Sequence, residues 1–277
     1  MAVQNCPLVG FESTRPLIVV TNDDGVGSPA LVPLREVLAP LGDVRIVVPD
    51  QNRSGAARSI TMHSPLWVEE MELADGSIAF SSDGTPVDCV RMAALGLLDR
   101  EPELIVSGIN LGENLGDDIT YSGTVAAALE GIMLGIPAIA ISAQGYHPGY
   151  DLTVPARFTR HLVEMVLRRG FPAKTLLNIN CPDRSWDQLA GAKLTMLGKR
   201  IYGDKVQHQE TRGNRRRYYI YNDELDYQQE QGTDFEAVAA GYVSITPLHF
   251  DLMSHQALDE LRCWEPELDL RPSGREP

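Results

Sequence analysis

Leu17-Ile-Val-Val-Thr-Asn-Asp-Asp-Gly25 is the stretch that decides the fold. Leu17 to Val20 are apolar and mostly β-branched, the composition of a short strand buried on both faces. The run then breaks into Thr21, Asn22, Asp23, Asp24 and Gly25. An unpartnered carboxylate is very costly to bury, so two in succession beside a core call for water or a cation. Gly25 and Gly27 allow a sharp turn. Ser28-Pro29 has the form of an N-cap followed by proline at the first helical position, and predicts a helix through about Leu38. The unit is strand, acidic loop, helix. Its acids lie at the carboxyl end of the strand, where open α/β sheets bind ligands.

The same unit recurs along the chain. Asp43-Val-Arg-Ile-Val-Val-Pro-Asp50 predicts a second buried strand, followed by the polar loop Gln51-Asn-Arg-Ser-Gly55. Residues 60–82 suggest short antiparallel strands turning at Asp75-Gly76. Thr85-Pro86 opens a helix to about Leu98. Pro102 to Asn110 is a third strand, and its loop continues through Leu111-Gly-Glu-Asn-Leu-Gly116. Tyr121-Ser-Gly-Thr124 opens an Ala-rich helix over 125–134. Strands over 136–142 and 176–180 flank a helix over about 155–169. Buried strands alternating with helices predict an α/β fold with a doubly wound, mostly parallel, Rossmann-like sheet.

Near 190 the pattern changes. Residues 194–202 and 217–222 read as strands flanking a polar, basic tip, Thr211-Arg-Gly-Asn-Arg-Arg-Arg217, in an arm with little apolar surface of its own. A strand over 241–248 returns to the core and a helix covers about 255–262. The expected organisation is a poorly ordered lead-in over 1–16, a catalytic core over 17–190, and a C-terminal segment over 191–277. That segment carries an oligomerisation β-arm over about 194–234 and ends in a polar tail, 271–277.

Composition narrows the function. The chain has 277 residues, 43% of them hydrophobic, and a formal net charge of −14. That charge argues against stable nucleic-acid binding and against attachment to anionic membranes. No run of about 18 apolar residues occurs, and residues 1–16 lack the pattern of a secretory signal. Cys6, Cys89, Cys181 and Cys263 are scattered without a CxxC, which fits a reducing cytoplasm rather than a disulfide framework or a zinc site.

Three strand-end loops carry oxygen donors: Asp23 and Asp24, Ser54, and Asn110. Two carboxylates, a hydroxyl and an amide oxygen are hard ligands suited to one Mg²⁺ or Mn²⁺. Ser122, Gly123 and Thr124 stand at a predicted helix N-terminus, a ready site for phosphate. Ser54 can serve either set. A metal site beside a phosphate cradle, without a Walker loop, points to phosphate-ester hydrolysis with Asp23 and Asp24 at its centre. Each motif alone also has a plain structural reading, as a turn, a helix cap or a left-handed loop position. Dinucleotide binding is the rival reading, on Gly25, Gly27 and Asp50. It lacks a third glycine and would set two acids against a pyrophosphate. A metal-dependent nucleotide-binding regulator without turnover is the rival from another class.

Thr21-Asn-Asp-Asp-Gly25, Arg53-Ser-Gly55, Gly84-Thr-Pro-Val-Asp-Cys89, Ser107-Gly-Ile-Asn-Leu-Gly-Glu-Asn114, Tyr121-Ser-Gly-Thr-Val-Ala-Ala-Ala-Leu-Glu-Gly131 and Gly241-Tyr-Val-Ser-Ile-Thr-Pro-Leu248 together resemble the survival protein E (SurE) family. The resemblance runs in order over roughly 16–260. It implies a cytoplasmic, metal-dependent phosphatase of nucleoside 5′- and 3′-monophosphates, with activity on short polyphosphate left open. It also implies a homodimer or homotetramer built by swapped C-terminal arms. The family's metal ligands carry over to Asp23, Asp24, Ser54 and Asn110. Direct attack by water and an aspartyl-phosphate on Asp23 both remain open.

Overall fold

The computed structural model describes residues 8–268 apart from 12, 14, 146, 148, 204 and 221–225. The expectations about residues 1–7, the tail 271–277 and Tyr221 lie outside the described residues.

Nine strands form the central sheet, labelled here in chain order: β1 Leu17–Thr21, β2 Asp43–Pro49, β3 Val68–Glu72, β4 Ile78–Ser82, β5 Leu104–Leu111, β6 Ala138–Ala143, β7 Leu176–Cys181, β8 Ala192–Leu194 and β9 Val243–Leu248. Their order across the sheet is β8-β9-β7-β6-β5-β1-β2-β4-β3. The six strands from β4 to β7 run parallel. β3 closes one edge antiparallel to β4, and β9 pairs antiparallel to β7. From β1 the chain moves outward to β2 on one side and later to β5 on the other. The switch point of the sheet therefore lies between β1 and β5, the position where such sheets bind ligands.

The parallel strands are sandwiched because both faces of each are apolar. Successive side chains point to opposite faces. Ile18, Val20, Ile46 and Val48 pack with Leu31, Leu34 and Leu38 of α1 (Leu31–Leu38) and with Leu162, Val163 and Val166 of α4 (Thr153–Arg169). Val19, Val47 and Ile105 face the other way. They pack with Cys89 and Val90 of α2 (Pro86–Met92) and with Val125, Ala127 and Ala128 of α3 (Gly123–Met133). The small residues of α3 let it lie close to the sheet: a Cβ on Gly131 would come within 3.0 Å of Ile105.

Some boundaries differ from expectation. Helix α1 begins at Leu31 rather than beside Ser28, because Gly25 to Ser28 form a turn closed by the Ser28 N–H on the Gly25 carbonyl at 3.1 Å. Pro33, not Pro29, is the proline of the first helical turn, where its missing N–H costs nothing. Helix α2 is regular only to Met92; a wider turn, Ala93–Leu97, ends where Gly96 takes φ +139°. In the arm, residues 194–202 are not one strand. Arg200–Ile201 pairs with Asp226–Tyr227, and Gln207–Arg212 pairs with Arg215–Tyr219 across Gly213 and Asn214. Most of the expected basic tip is thus strand. The segment after Thr233 forms a short helix, α5 Asp234–Ala239, before β9. Leu8–Val9 pairs with Phe171–Pro172. The terminal helix, α6 His255–Leu261, buries none of its residues against the chain.

Candidate active site

Asp23 and Asp24 leave the carboxyl end of β1 between the ends of β2 and β5. Asn22 makes the turn that aims them. Its Oδ1 accepts from the Gly25 N–H at 3.0 Å and its Nδ2 donates to the Gly25 carbonyl at 3.1 Å. Gly25 is held at φ +86° with Gln51 so close that a Cβ would meet its carbonyl carbon at 2.6 Å. Only glycine fits there.

Asp23 is 3% exposed. Thr124 Oγ1 donates to its Oδ1 at 2.5 Å. Burial pushes its carboxyl above the ordinary value, while the Thr124 hydroxyl and the Thr124 and Gly123 amides pull it back down. The N-terminus of α3 is therefore turned toward Asp23, and a carboxylate there is favoured by the helix dipole. Asp24 is half-buried. Its Oδ2 accepts from the Leu111 N–H at 3.2 Å and its Oδ1 from Asn52 Nδ2 at 3.4 Å. Burial first, then the charge of Asp23, push its pKa up to about 6, against the pull of the Leu111 amide. Among the described residues, no Lys, Arg or His forms an ion pair with either acid.

The other candidate residues come from neighbouring loops. The loop after β2 is hung on the acids: the Arg53 N–H donates to the Asp23 carbonyl at 2.7 Å, and the Ser54 N–H to Asn52 Oδ1 at 2.8 Å. Ser54, exposed, is thus linked to Asp24 through Asn52. Asn110 lies at the end of β5, past a register shift between Ser107 and Asn110. Gly108 makes that shift possible, since a Cβ there would strike the Ile141 carbonyl at 2.2 Å. Asn110 Nδ2 donates to the Gly112 carbonyl at 2.8 Å, and among the described residues its Oδ1 accepts no hydrogen bond. Ser122 caps α3 by accepting from the Val125 N–H at 3.1 Å. The hydroxyls of Ser122 and Thr124 are thus engaged by the helix and by Asp23, and so are the first-turn N–H groups: those of Gly123 and Thr124 by Asp23, that of Val125 by the Ser122 hydroxyl. A Cβ on Gly123 would meet the Asp23 Cβ at 2.7 Å.

The donor set fits a hard divalent cation. Two carboxylates with raised proton affinity and, among the described residues, no ion-pair partner carry charge that a cation would neutralise, and the loops bonded to them carry the Asn110 amide and the Ser54 hydroxyl. Among the described residues no group of three or more His, Cys, Asp or Glu is gathered to hold a metal. A cation here would therefore draw on Asn110, Ser54 and water as well as the acids.

Two supporting networks are not evident as site features in the sequence. The Asn114 N–H donates to Asn180 Oδ1 at 2.8 Å, its Nδ2 to Ser142 Oγ at 2.8 Å, and its carbonyl accepts from Asn178 and Asn180. Asp234 is fully buried, its carboxyl pushed up by burial, and it accepts from the Gly116 and Gly198 amides at 2.8 Å each. Together they pin the loop after β5. The signal for the first was present: Asn178 and Asn180 share one face of an otherwise apolar strand, and buried amides need partners.

Comparison with known proteins gives one consistent result. The family described as "Survival protein SurE" matches residues 18–204. A protein of Rubrobacter xylanophilus named 5′-nucleotidase SurE is 46% identical over 257 residues, covering 90% of this chain and 97% of its own. One of the same name from Chloroflexus aggregans is 47% identical over 249 residues, covering 90% and 98%. The crystal structure of the SurE protein from Aquifex aeolicus superposes with a TM-score of 0.79 at 40% identity, covering 90% of this chain and all of that one.

Proposed function

The chain belongs to the SurE family, and on that premise we propose that it hydrolyses nucleoside 5′-monophosphates to nucleoside and phosphate, with one divalent cation, Mg²⁺ or Mn²⁺, per subunit. It is a phosphoric monoester hydrolase of the 5′-nucleotidase kind. Asp23, Asp24, Asn110 and Ser54 would hold the cation, which when bound supplies Lewis-acid stabilisation of phosphate charge. The observation that carries this reading is the unneutralised carboxylate pair at the sheet's switch point, next to a helix N-terminus.

The chain's own residues divide the work. In this reading the phosphate is received beside Asp23 at the first turn of α3, formed by Ser122, Gly123 and Thr124, and Ser122 keeps that turn in shape. Thr124 fixes the Asp23 carboxylate by donating to it. The turn of Asn22 and Gly25 holds both acids at the strand end, so little reorganisation is left for the reaction. Activity on 3′-monophosphates and on short polyphosphate belongs to the same proposal, since the site grips the phosphate end of its substrate. We further infer a homodimer or homotetramer through the C-terminal arm, whose Tyr202, Tyr218 and Tyr219 are exposed on the single chain.

Phosphate release from 5′- and 3′-mononucleotides and short polyphosphate tests the proposal. The protein is first stripped with chelator, then given Mg²⁺ or Mn²⁺. Cation-dependent turnover of 5′-mononucleotides is expected. Saturable nucleotide binding without turnover would favour the regulator reading.

A further inference from the structure

Glu130 lies on α3 and is 3% exposed, in a helix otherwise built of small and aliphatic residues. Two guanidiniums meet its carboxylate. Arg58 donates to Oε2 at 2.7 Å and Arg91 to Oε1 at 2.6 Å. The two arginines come from different settings. Arg91 belongs to α2, a regular helix packed on α3. Arg58 belongs to the loop after β2, four residues beyond Ser54, and its guanidinium also lies 4.6 Å over the Phe250 ring.

That loop is fastened at both ends. On the near side are the Arg53 and Asn52 bonds to Asp23 and Asp24. On the far side, Ala57 takes φ +52° and its N–H donates to the Tyr121 carbonyl at 3.2 Å, one residue before the cap of α3. Among the described residues no hydrogen bond is made by the Ser54 hydroxyl, so its position depends on the backbone held either side of it. The far side is also held by the Arg58 ion pair to Glu130, which is buried on the Glu130 side.

We infer that Arg58 and Glu130 are a positioning pair for the active site: they tether the loop after β2 to α3, and so hold Ser54 in place within the loop that is bonded to Asp23 and Asp24. Neither touches substrate. The bond from Arg91 to the same carboxylate serves the α2–α3 packing instead. This inference rests on the reading that Ser54 takes part in the site.

The test compares full-length R58A, R58K, R91A and S54A. Two readouts are used: hydrogen exchange of residues 51–58 in the chelator-stripped protein, and calorimetric titration with Mn²⁺. R58A is expected to speed exchange over 51–58 and to weaken Mn²⁺ binding about tenfold, the size typical of groups that orient metal ligands. R58K should recover part of both. R91A should lower the melting temperature while leaving loop exchange and Mn²⁺ affinity at wild-type values. S54A should weaken Mn²⁺ binding without changing loop exchange. Wild-type exchange and affinity in R58A, alongside a weakened S54A, would overturn the positioning role and leave Ser54 in the site. Equal effects of R58A and R91A would also overturn it. Wild-type Mn²⁺ affinity in S54A would remove Ser54 from the site, and the inference with it.

Discussion

Asp23 and Asp24 are adjacent, partly or wholly buried and, among the described residues, without an ion-pair partner, so each is a cost to the metal-free fold. Asp23→Asn and Asp24→Asn are expected to lower kcat/KM by on the order of 10²–10³-fold, with circular dichroism unchanged. In the metal-free protein both should raise the melting temperature. The pH dependence follows from the sign of the shift. The folded-state pKa of Asp24 is raised to about 6 from its ordinary 3.8, so the folded form binds the proton more tightly than the unfolded one. Its stabilising contribution is full below the unfolded pKa and is lost as pH rises through about 6. The gain in melting temperature from Asp24→Asn should thus be largest above about pH 6, about half as large near pH 5, and small near pH 4. Mn²⁺ affinity of the wild type should fall as pH drops below about 6, since protons compete for the same oxygens. A pH-independent gain from Asp24→Asn would contradict this account. At this scale the position of Asp23 and Asp24 as candidate site residues at the strand end was legible from one rule, that paired acids there need a partner. The hydrogen bond from Thr124 to Asp23 was not, because two side chains 101 positions apart meet only once α3 is packed on the sheet.

The element that matters most is α3, because its first turn meets both Asp23 and the proposed phosphate position. Ser122→Ala removes its cap and should cost about 1 kcal/mol of stability, read from urea unfolding, with a modest rise in KM. Gly123→Ala puts a methyl group into the Asp23 side chain, 2.7 Å from its Cβ. It should cut kcat sharply while the fold persists; near-normal kcat would mean that Asp23 can move without penalty. The long strands and helices were legible because their apolar runs match what the sheet buries on each face. The arm was not. Gln207–Arg212 and Arg215–Tyr219 are polar on both faces, so no alternation marks their register. Their pairing is set instead by the Gly213-Asn214 turn, where Gly213 takes φ +60°. The start of α1 was misjudged for a related reason. Ser28-Pro29 and Ala30-Leu-Val-Pro33 both offer a proline near a helix start, and only the Gly25–Ser28 turn chooses between them.

Across the whole molecule, the C-terminal part exposes apolar surface that the single chain does not cover. Leu252, Trp264 and Leu268 are among its exposed side chains, and α6 buries nothing. Hairpins of two strands are marginal alone, which favours burial of the arm against a second copy. Replacing residues 199–232 by a short Gly-Ser linker should give a smaller species in light scattering, while Mn²⁺ still binds the core. A wild-type protein that is monomeric at micromolar concentration would contradict the oligomer. Among the described residues no helix is long and apolar enough to cross a membrane. The central claim is that a divalent cation sits at the switch point between β1 and β5, on the carboxylates of Asp23 and Asp24. Anomalous diffraction from crystals soaked in Mn²⁺ tests it most directly. The account predicts one strong peak per chain within about 2.0–2.3 Å of an oxygen of each acid, near the range for hard cations on carboxylates. A peak bound elsewhere in the chain, or none at these two carboxylates, would contradict it.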